Sequence, residues 1–282
     1  MRIDAHQHYW QLARGDYGWL TPKLAPIYRD FGPGDLAPRL DAFDIACTIL
    51  VQAAPTQAET RFMLDLAATT PSVAGVVGWA DMEAPDAAEH IARLATRPKL
   101  VGIRPMIHDI ADPRWMLSPA LSPAYAAIET AGLVFDALVR PVHLGSLETL
   151  VGRHPGLSVV IDHGAKPDVA RWTPGDEDFA DWAERMHRLG RRTNVVCKTS
   201  GLVTEARPDW EPGDLIPYLD VLLDAFGPEG LLFGSDWPVV NLAGGYDRWT
   251  NALLGWLDRL DTSSRAMILG ETASRIYKLT ER

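Results

Sequence analysis

The feature that most constrains the fold is an alternation of short apolar runs with longer amphipathic patterns along the whole chain. Several runs are apolar on both faces, as in strands covered on two sides, and the segments between them place apolar residues at helical spacing. Because parallel strands need a helical crossover and parallel barrels close at eight strands, we predict an α/β fold, a (β/α)8 TIM-type barrel. The eight runs are RIDAHQH, CTILVQA, VAGVVGWAD, LVGIRPM, LVFDALVRP, LSVVIDHG, TNVVCKTSG and LLFGSDWP. The eight helical patterns are DLAPRLDAFDI, QAETRFMLDLAAT, APDAAEHIARLAT, SPAYAAIETA, LGSLETLVGRH, DEDFADWAERMHRLG, LIPYLDVLLDAF and DRWTNALLGWLDRL.

An open, doubly wound sheet is the alternative for such an alternation. Its glycine fingerprint, GxGxxG, is absent after the first predicted strand, which favours the barrel. The 282 residues are close to the size of about 250 that is typical of barrels, and no linker or repeat interrupts them. We therefore expect one domain over residues 1–282. The segment 11–38 is rich in Pro, Gly and aromatic residues and lacks a helical pattern, which indicates a lid-like loop.

Composition and charge exclude several classes of partner. The formal net charge is -10 and the isoelectric point is about 5.2, with no basic stripe that would bind nucleic acid. No apolar stretch approaches the roughly 18 residues that span a bilayer. We expect a cytoplasmic protein that acts on a small molecule and is possibly a homo-oligomer. Cys47 and Cys197 lie in apolar runs and are assigned neither to a disulfide nor to a metal.

Polar side chains cluster where the predicted strands end. Because the carboxyl ends of barrel strands meet at one rim, these residues predict an active site there. In an extended strand, alternate side chains share a face, so Asp4, His6 and His8 are expected to point the same way. The rim residues are His6, His8, Gln52, Arg104, Asp162, His163, Lys198, Ser200, Ser235 and Asp236.

Four motifs occur in order along the chain: HxH on the first strand, DHGAKP (162–167), KTSG (198–201) and GSDWP (234–238). This order resembles the amidohydrolase superfamily of the amidohydrolase 2 type. Within it, the pattern is similar to the sugar-lactonase branch that includes L-fuconolactonase and 2-pyrone-4,6-dicarboxylate lactonase. The likeness extends to GETASRIYKL, which resembles the closing helix of that family. The resemblance implies a barrel that hydrolyses the ester of a small polar lactone.

The resemblance also bears on metal content. Relatives with two metals bridge them through a carboxylated lysine or a glutamate that ends the fourth strand, where this chain has Arg104. A binuclear centre is therefore not expected. One divalent ion, zinc in the first place, would be held by His6, His8 and Asp236, with His163 in reserve. Some relatives in this branch are metal-independent, so a metal-free enzyme stays open.

The chemistry of ester hydrolysis assigns roles to these residues. It needs an activated water, a polarised carbonyl and a stabilised oxyanion. Asp236 is the expected general base, and His163 would polarise the carbonyl or position the water. Because adjacent residues in a strand point to opposite faces, a pairing of His163 with Asp162 is not favoured. His6 and His8 would bind the metal or donate to the carbonyl directly.

Substrate binding is assigned to six further side chains. Their guanidinium, ammonium and amide groups suit carboxylates or hydroxyls, and the indole faces suit a sugar ring. They are Arg104, Lys166, Lys198, Gln52, Trp19 and Trp237. Four other histidines without evident partners are expected to be surface or core residues: His90, His108, His154 and His187.

These expectations give a hydrolase that opens a sugar-derived aldonolactone, such as L-fucono- or L-rhamnono-lactone, to its acid. A decarboxylase, or a hydrolase of an aromatic-derived dicarboxylic lactone, is the first alternative within the same superfamily. Such substrates carry extra carboxylates and require more arginines than Arg104 and Arg140 supply. The second alternative is a non-catalytic sugar-binding barrel, which would have a degraded polar rim.

Overall fold

A computed structural model describes residues 1–279 and contains one eight-stranded parallel sheet in the order β1 to β8. The strands are β1 (Arg2–Gln7), β2 (Ile45–Val51), β3 (Val73–Gly78), β4 (Leu100–Ile103), β5 (Val134–Ala137), β6 (Ser158–Ile161), β7 (Val195–Lys198) and β8 (Leu231–Leu232). The helices between and after them are α1 (Pro33–Ala42), α2 (Gln57–Thr69), α3 (Ala87–Ala95), α4 (Ser122–Thr130), α5 (Leu144–Arg153), α6 (Glu177–Gly190), α7 (Pro212–Phe226), α8 (Tyr246–Leu257), α9 (Thr262–Ala266) and α10 (Thr272–Ile276). No helix within the described residues is long and apolar enough to cross a membrane.

Hydrogen bonds between the last and first strands close the sheet into a barrel. Ala5 N donates to Phe233 O at 3.0 Å, Asp236 N to His6 O at 2.8 Å, and His8 N to Trp237 O at 2.7 Å. The last two of these bonds join the HxH segment directly to the GSDWP segment. The predicted (β/α)8 barrel is confirmed.

The barrel interior is a packed apolar layer with charged groups above it. All eight strands contribute small or branched residues to this layer, as is usual in such barrels. They are Ile3, Ala5, Ile49, Val51, Val77, Val101, Val134, Val160, Val196 and Leu232, and they pack against Ala273 and Tyr277 near the end of the chain. A second and larger core lies between the strands and the helices. The interior is therefore not a pore, and the functional groups are confined to one end of it.

An irregularity in β1 changes the expected orientation of Asp4. The pairing of β1 with β2 shifts its register between Asp4 and Gln7, which breaks the alternation of side chains. The carboxylate of Asp4 accepts from Ser235 N at 2.8 Å, whereas His6 Nδ1 is 3.2 Å from Lys198 Nζ inside the barrel. The prediction that Asp4 shares a face with the two histidines was wrong.

The segment 11–38 also differs in part from the expectation. Its last residues are helical, and Pro33 begins α1. Proline is favoured at the first position of a helix, because a backbone N–H would have no partner within the helix there. The rest contains two short 3-10 turns, Leu12–Arg14 and Pro22–Leu24, and is fixed by Trp10 Nε1, which donates to Arg29 O at 2.8 Å. The role of this segment as a lid stays a prediction.

Candidate active site

A buried carboxylate, Asp236, lies in the middle of three histidines at the carboxyl ends of the strands. Its Oδ1 atom is 3.2 Å from His8 Nε2, 3.7 Å from His6 Nε2 and 3.9 Å from His163 Nε2. His6 and His8 come from the end of β1, His163 follows β6 and Asp236 follows β8. Barrel closure thus brings together residues that are far apart in the sequence, and His8 and Asp236 are separated by 228 positions.

Two of these four residues have an unusual backbone conformation. His163 and Asp236 both have φ of 57°, in the left-handed region that non-glycine residues rarely adopt. Such conformations cost on the order of 1–3 kcal/mol and persist where the surrounding structure enforces them. Here they end the regular strands and turn the two side chains toward each other.

Gly201 of the KTSG motif makes room for the His163 ring. Its φ is 69°, and a Cβ atom at this position would lie 2.4 Å from His163 Nδ1. Glycine is therefore required both by the backbone and by the contact. The same motif supplies Ser200, whose Oγ is 2.9 Å from His163 Nδ1 and fixes the ring.

The hydrogen bonds of His8 define where its proton lies. His8 Nδ1 is 2.7 Å from Val51 O, and a carbonyl oxygen only accepts, so Nδ1 carries a proton. His8 Nε2 faces the carboxylate of Asp236 at 3.2 Å. A lone pair of His8 Nε2 would then face a lone pair of the Asp236 carboxylate, unless a proton or a cation lies between the two atoms. This side of the site therefore attracts positive charge.

Burial and charge tune the protonation of the cluster. Burial lowers the pKa of His163 well below its usual range, although the Asp236 carboxylate opposes this. Burial likewise lowers the pKa of His6, against the effect of Asp162. For Asp236, burial raises the pKa, but the neighbouring His163 and His8 outweigh it and the pKa lies below its ordinary value. Asp236 is thus ionised at neutral pH and available to accept a proton.

Asp162 lies below the cluster, inside the barrel, in contact with cationic groups. Its Oδ2 accepts from Arg104 at 3.1 Å, and its Oδ1 is 2.9 Å from Lys198 Nζ and 3.4 Å from His6 Nδ1. Burial would raise the pKa of Asp162, but Lys198, His6 and Arg104 hold it well below the usual range. Asp162 therefore interacts with Lys198, Arg104 and His6. As expected, Asp162 does not pair with His163, although the reason is the left-handed turn and not strand alternation.

A cavity of about 220 Å³ opens above the cluster. Its lining combines the reactive polar groups with apolar side chains. The lining residues are His8, Trp19, Ala53, Arg104, Met106, His108, Asp109, Leu138, His163, Lys166, Asp236 and Val239. Of the residues assigned to substrate binding, Trp19, Arg104 and Lys166 thus reach the cavity.

The other three predicted binding residues lie behind the cavity wall. Lys198 and Gln52 are completely buried, and Gln52 Nε2 donates to Arg104 O at 2.8 Å. Trp237 packs edge-on against Phe31, with ring centroids 5.1 Å apart. None of the three belongs to the residues that line the cavity.

His108 was expected to be a surface or core residue, but it lines the cavity. It lies in a short 3-10 turn after β4, and His108 N donates to Leu138 O at 3.0 Å. Burial and the nearby Lys166 and Arg104 lower its pKa to about 4, against the effect of Asp109. No motif marked this residue, and only its position four residues after Arg104 at the end of β4 was a usable signal.

The donor set is suited to one divalent cation. Ligand atoms of His6, His163 and Asp236 all lie within 4.8 Å of one another, and all three residues are buried. His6 Nε2 has no hydrogen-bond partner although it is buried, which is the state expected of an atom reserved for a ligand. Two imidazoles and a carboxylate are common zinc ligands. Two members of this set, His6 and Asp236, belong to the expected ligands His6, His8 and Asp236, and the third member is His163, the expected reserve ligand.

Known proteins resemble this chain in sequence and in structure. The amidohydrolase family matches residues 3–279. An L-fucono-1,5-lactonase from Burkholderia ambifaria is 44% identical, covering 99% of this chain and 96% of that protein, and another from Burkholderia multivorans is 38% identical over 100% and 97%. A crystal structure of an amidohydrolase from Burkholderia multivorans with bound zinc is 36% identical, covers 99% of both chains and has a TM-score of 0.92.

These matches extend over nearly the whole length and include proteins named as hydrolases. The resemblance indicated by the HxH, DHGAKP, KTSG and GSDWP motifs is thereby confirmed, and so is the prediction of an enzyme. We conclude that the chain belongs to the amidohydrolase family.

Proposed function

We propose that the protein hydrolyses a small sugar-derived lactone, an aldonolactone such as an L-fucono- or L-rhamnono-lactone, to its acid. The observation that carries this proposal is the Asp236 carboxylate held among three imidazoles at the floor of a small cavity. Supporting it, two relatives at 44% and 38% identity are named L-fucono-1,5-lactonase. A carboxylate and neutral imidazoles supply the base and the polarising groups that ester hydrolysis requires.

In the proposed reaction, Asp236 acts as the general base. Its carboxylate takes a proton from a water molecule, and the water oxygen attacks the carbonyl carbon of the lactone to form a tetrahedral oxyanion. The bond between that carbon and the ring oxygen then breaks. Asp236 returns its proton to the departing alkoxide, which gives the open hydroxy acid and restores the carboxylate.

The histidines polarise the carbonyl and hold the attacking water. When the Ser200 hydroxyl donates to His163 Nδ1, the ring proton lies on Nε2, which faces the same region as Asp236. A divalent cation, zinc in the first place, would be held by His6, His163 and Asp236. Such an ion, when bound, polarises a carbonyl and lowers the pKa of water.

The charge of the cavity favours a neutral substrate over a dicarboxylic one. Arg104 is paired with Asp162 at 3.1 Å, and Lys166 is hydrogen-bonded to Glu205. Both basic side chains of the described cavity wall are thus already neutralised. A substrate with extra carboxylates would have to break the buried Arg104–Asp162 pair or the part-buried Lys166–Glu205 pair, and breaking the buried pair is costly. The apolar side chains of Met106, Leu138 and Val239 suit a ring with few charges.

The experiment is a substrate panel with acid release followed by a pH indicator. Neutral aldonolactones of both ring sizes are compared with 2-pyrone-4,6-dicarboxylate and with a simple acyclic ester. We expect turnover of at least one aldonolactone and little of the dicarboxylic lactone. Activity before and after chelation, with metal content measured in parallel, tests the metal requirement. Absence of turnover on every aldonolactone would contradict the proposal.

A further inference from the structure

Lys198 is a completely buried lysine that the proposed chemistry does not use. Its Nζ atom is 2.5 Å from Asp136 Oδ2, 2.9 Å from Asp162 Oδ1 and 3.2 Å from His6 Nδ1. An ammonium group has three protons and no acceptor; its contacts with Asp136 and His6 are hydrogen bonds, and its contact with Asp162 is an ion pair. Lys198 does not line the cavity, and its effect on a reaction there has to pass through His6 or Asp162.

The two groups next to His6 Nδ1 make opposite demands on it. The Lys198 ammonium only donates, so a hydrogen bond with it requires a lone pair on Nδ1. The Asp162 carboxylate only accepts, and its Oδ1 at 3.4 Å would require a proton on Nδ1. A neutral imidazole has one ring proton, so the stronger of the two contacts decides which nitrogen carries it. Lys198 is the nearer group and has hydrogen-bonding geometry.

We propose that Lys198 is a positioning residue that fixes the tautomer of His6, donating to Nδ1 so that the ring proton lies on Nε2, which faces Asp236. In this tautomer His6 meets the reaction centre as an N–H donor. The total number of protons on the ring does not change. Binding of a cation by His6 Nε2 requires the other tautomer, in which Nδ1–H turns to Asp162. Lys198 therefore favours the metal-free arrangement, and Asp162 favours the metal-bound one.

Asp136 provides the charge that keeps Lys198 in place. Its carboxylate also accepts from the hydroxyl of Tyr277, at 2.9 Å to Oδ2 and 3.1 Å to Oδ1. Asp136 and Lys198 thus form a buried, charge-balanced pair below the site. Removing one partner alone would leave a buried unpaired charge, whereas removing both keeps the balance. This property allows the positioning role to be separated from a merely structural one.

The test uses the paired variant Asp136→Asn/Lys198→Met in full-length, metal-free protein. The ¹⁵N shifts of the His6 ring, assigned with His6→Gln, report which nitrogen is protonated. Zinc affinity is measured by calorimetry, and thermal unfolding shows that the charge-balanced variant folds. Tyr277→Phe is the matched control, because it removes a hydrogen bond to the Asp136 carboxylate and keeps both the Lys198 and the His6 side chains.

We expect the proton on His6 Nε2 in the wild type and in Tyr277→Phe, and on Nδ1 in the paired variant. Zinc should bind the paired variant several-fold more tightly, because no bond from Lys198 has to be broken; structural damage would weaken binding instead. A wild-type proton on Nδ1, an unchanged tautomer in the paired variant or weaker zinc binding would overturn the proposal. The ¹⁵N spectrum of the wild type tests the proposed tautomer even if the paired variant does not fold. The inference rests on the proposed function for its relevance to catalysis. These measurements need no lactone turnover, so failure of the inference can be distinguished from failure of the proposed function.

Discussion

Single residues in this site are placed by backbone conformation as much as by their own chemistry. His163 and Asp236 reach each other because both have left-handed φ values, and Gly201 is a glycine because His163 occupies the space of its Cβ. The sequence identified Asp236, His6 and His163 as candidates, since their motifs follow predicted strands. It could not show that His163 turns toward His6 and Asp236, because a left-handed turn at a histidine has no signature in residue type.

Gly201→Ala is expected to lower kcat strongly while the fold is kept. The added methyl group meets the His163 ring and sits at a positive φ, so the ring has to move. A displacement of about 1 Å costs on the order of 100-fold in rate. Steady-state kinetics on the best lactone of the panel give the measurement. Gly152→Ala in α5, where a Cβ would meet nothing within 4 Å, is the control and should retain wild-type kcat.

At the scale of elements, the predicted bounds of the helices are close to the observed ones, whereas the predicted strands are longer than the observed strands. The QAETRFMLDLAAT pattern coincides with α2, because its apolar spacing is regular and Thr56 caps it by accepting from Glu59 N at 3.0 Å. LLFGSDWP was expected to be a strand, but only Leu231–Leu232 pairs in β8. The polar residues that follow leave the ladder to form the site. Loss of strand pairing at functional positions depends on tertiary contacts, which the alternation does not encode.

Glu59 in the first turn of α2 gives a pH dependence of stability. Its buried carboxylate accepts from Ala53 N and Ala54 N, and burial raises its pKa from 4.5 to about 7. Between these values the folded protein binds the proton more tightly than the unfolded chain. The free energy of unfolding should therefore fall by up to about 3 kcal/mol as the pH rises from about 4.5 to about 7.

Urea unfolding of Glu59→Gln and of the wild type at several pH values measures this effect. The variant keeps the size of the side chain and has no carboxyl group to titrate. The difference in unfolding free energy between the two proteins should change over that pH range and level off above about pH 7. A difference that is independent of pH would contradict the assignment to Glu59.

The segment 11–32 is joined to the cavity wall through Trp19. Its indole Nε1 donates to Ala53 O at 2.7 Å, and its ring lies edge-on to Trp10. Trp19→Phe removes this hydrogen bond and keeps an aromatic ring, so the segment should cover the cavity less well. We expect KM to rise several-fold with a smaller change in kcat. Tyr28→Phe, in the same segment but outside the cavity lining, should leave both constants unaltered; equal effects would argue against a specific role of Trp19.

At the scale of the whole molecule, barrel closure is what turns scattered motifs into one site. The alternation of strands and helices predicted the closure, and closure placed HxH beside GSDWP through two backbone hydrogen bonds. The buried charges inside the barrel were not predictable to the same extent. Lys198 was expected to bind substrate. It lies at the end of β7 inside the barrel, where it contacts His6 and Asp136. Depth along a barrel axis depends on strand register, which the sequence pattern does not give.

The most direct test of the account is kcat for the best aldonolactone in Asp236→Asn, with folding checked by circular dichroism. The control is Asp109→Asn, since Asp109 is another carboxylate at the cavity but contacts none of the three clustered histidines. Removing the general base typically costs about 10²–10⁴-fold in rate. We predict a loss of this size in Asp236→Asn and near wild-type turnover in Asp109→Asn. A folded Asp236→Asn protein that hydrolyses the lactone at the wild-type rate would contradict the account.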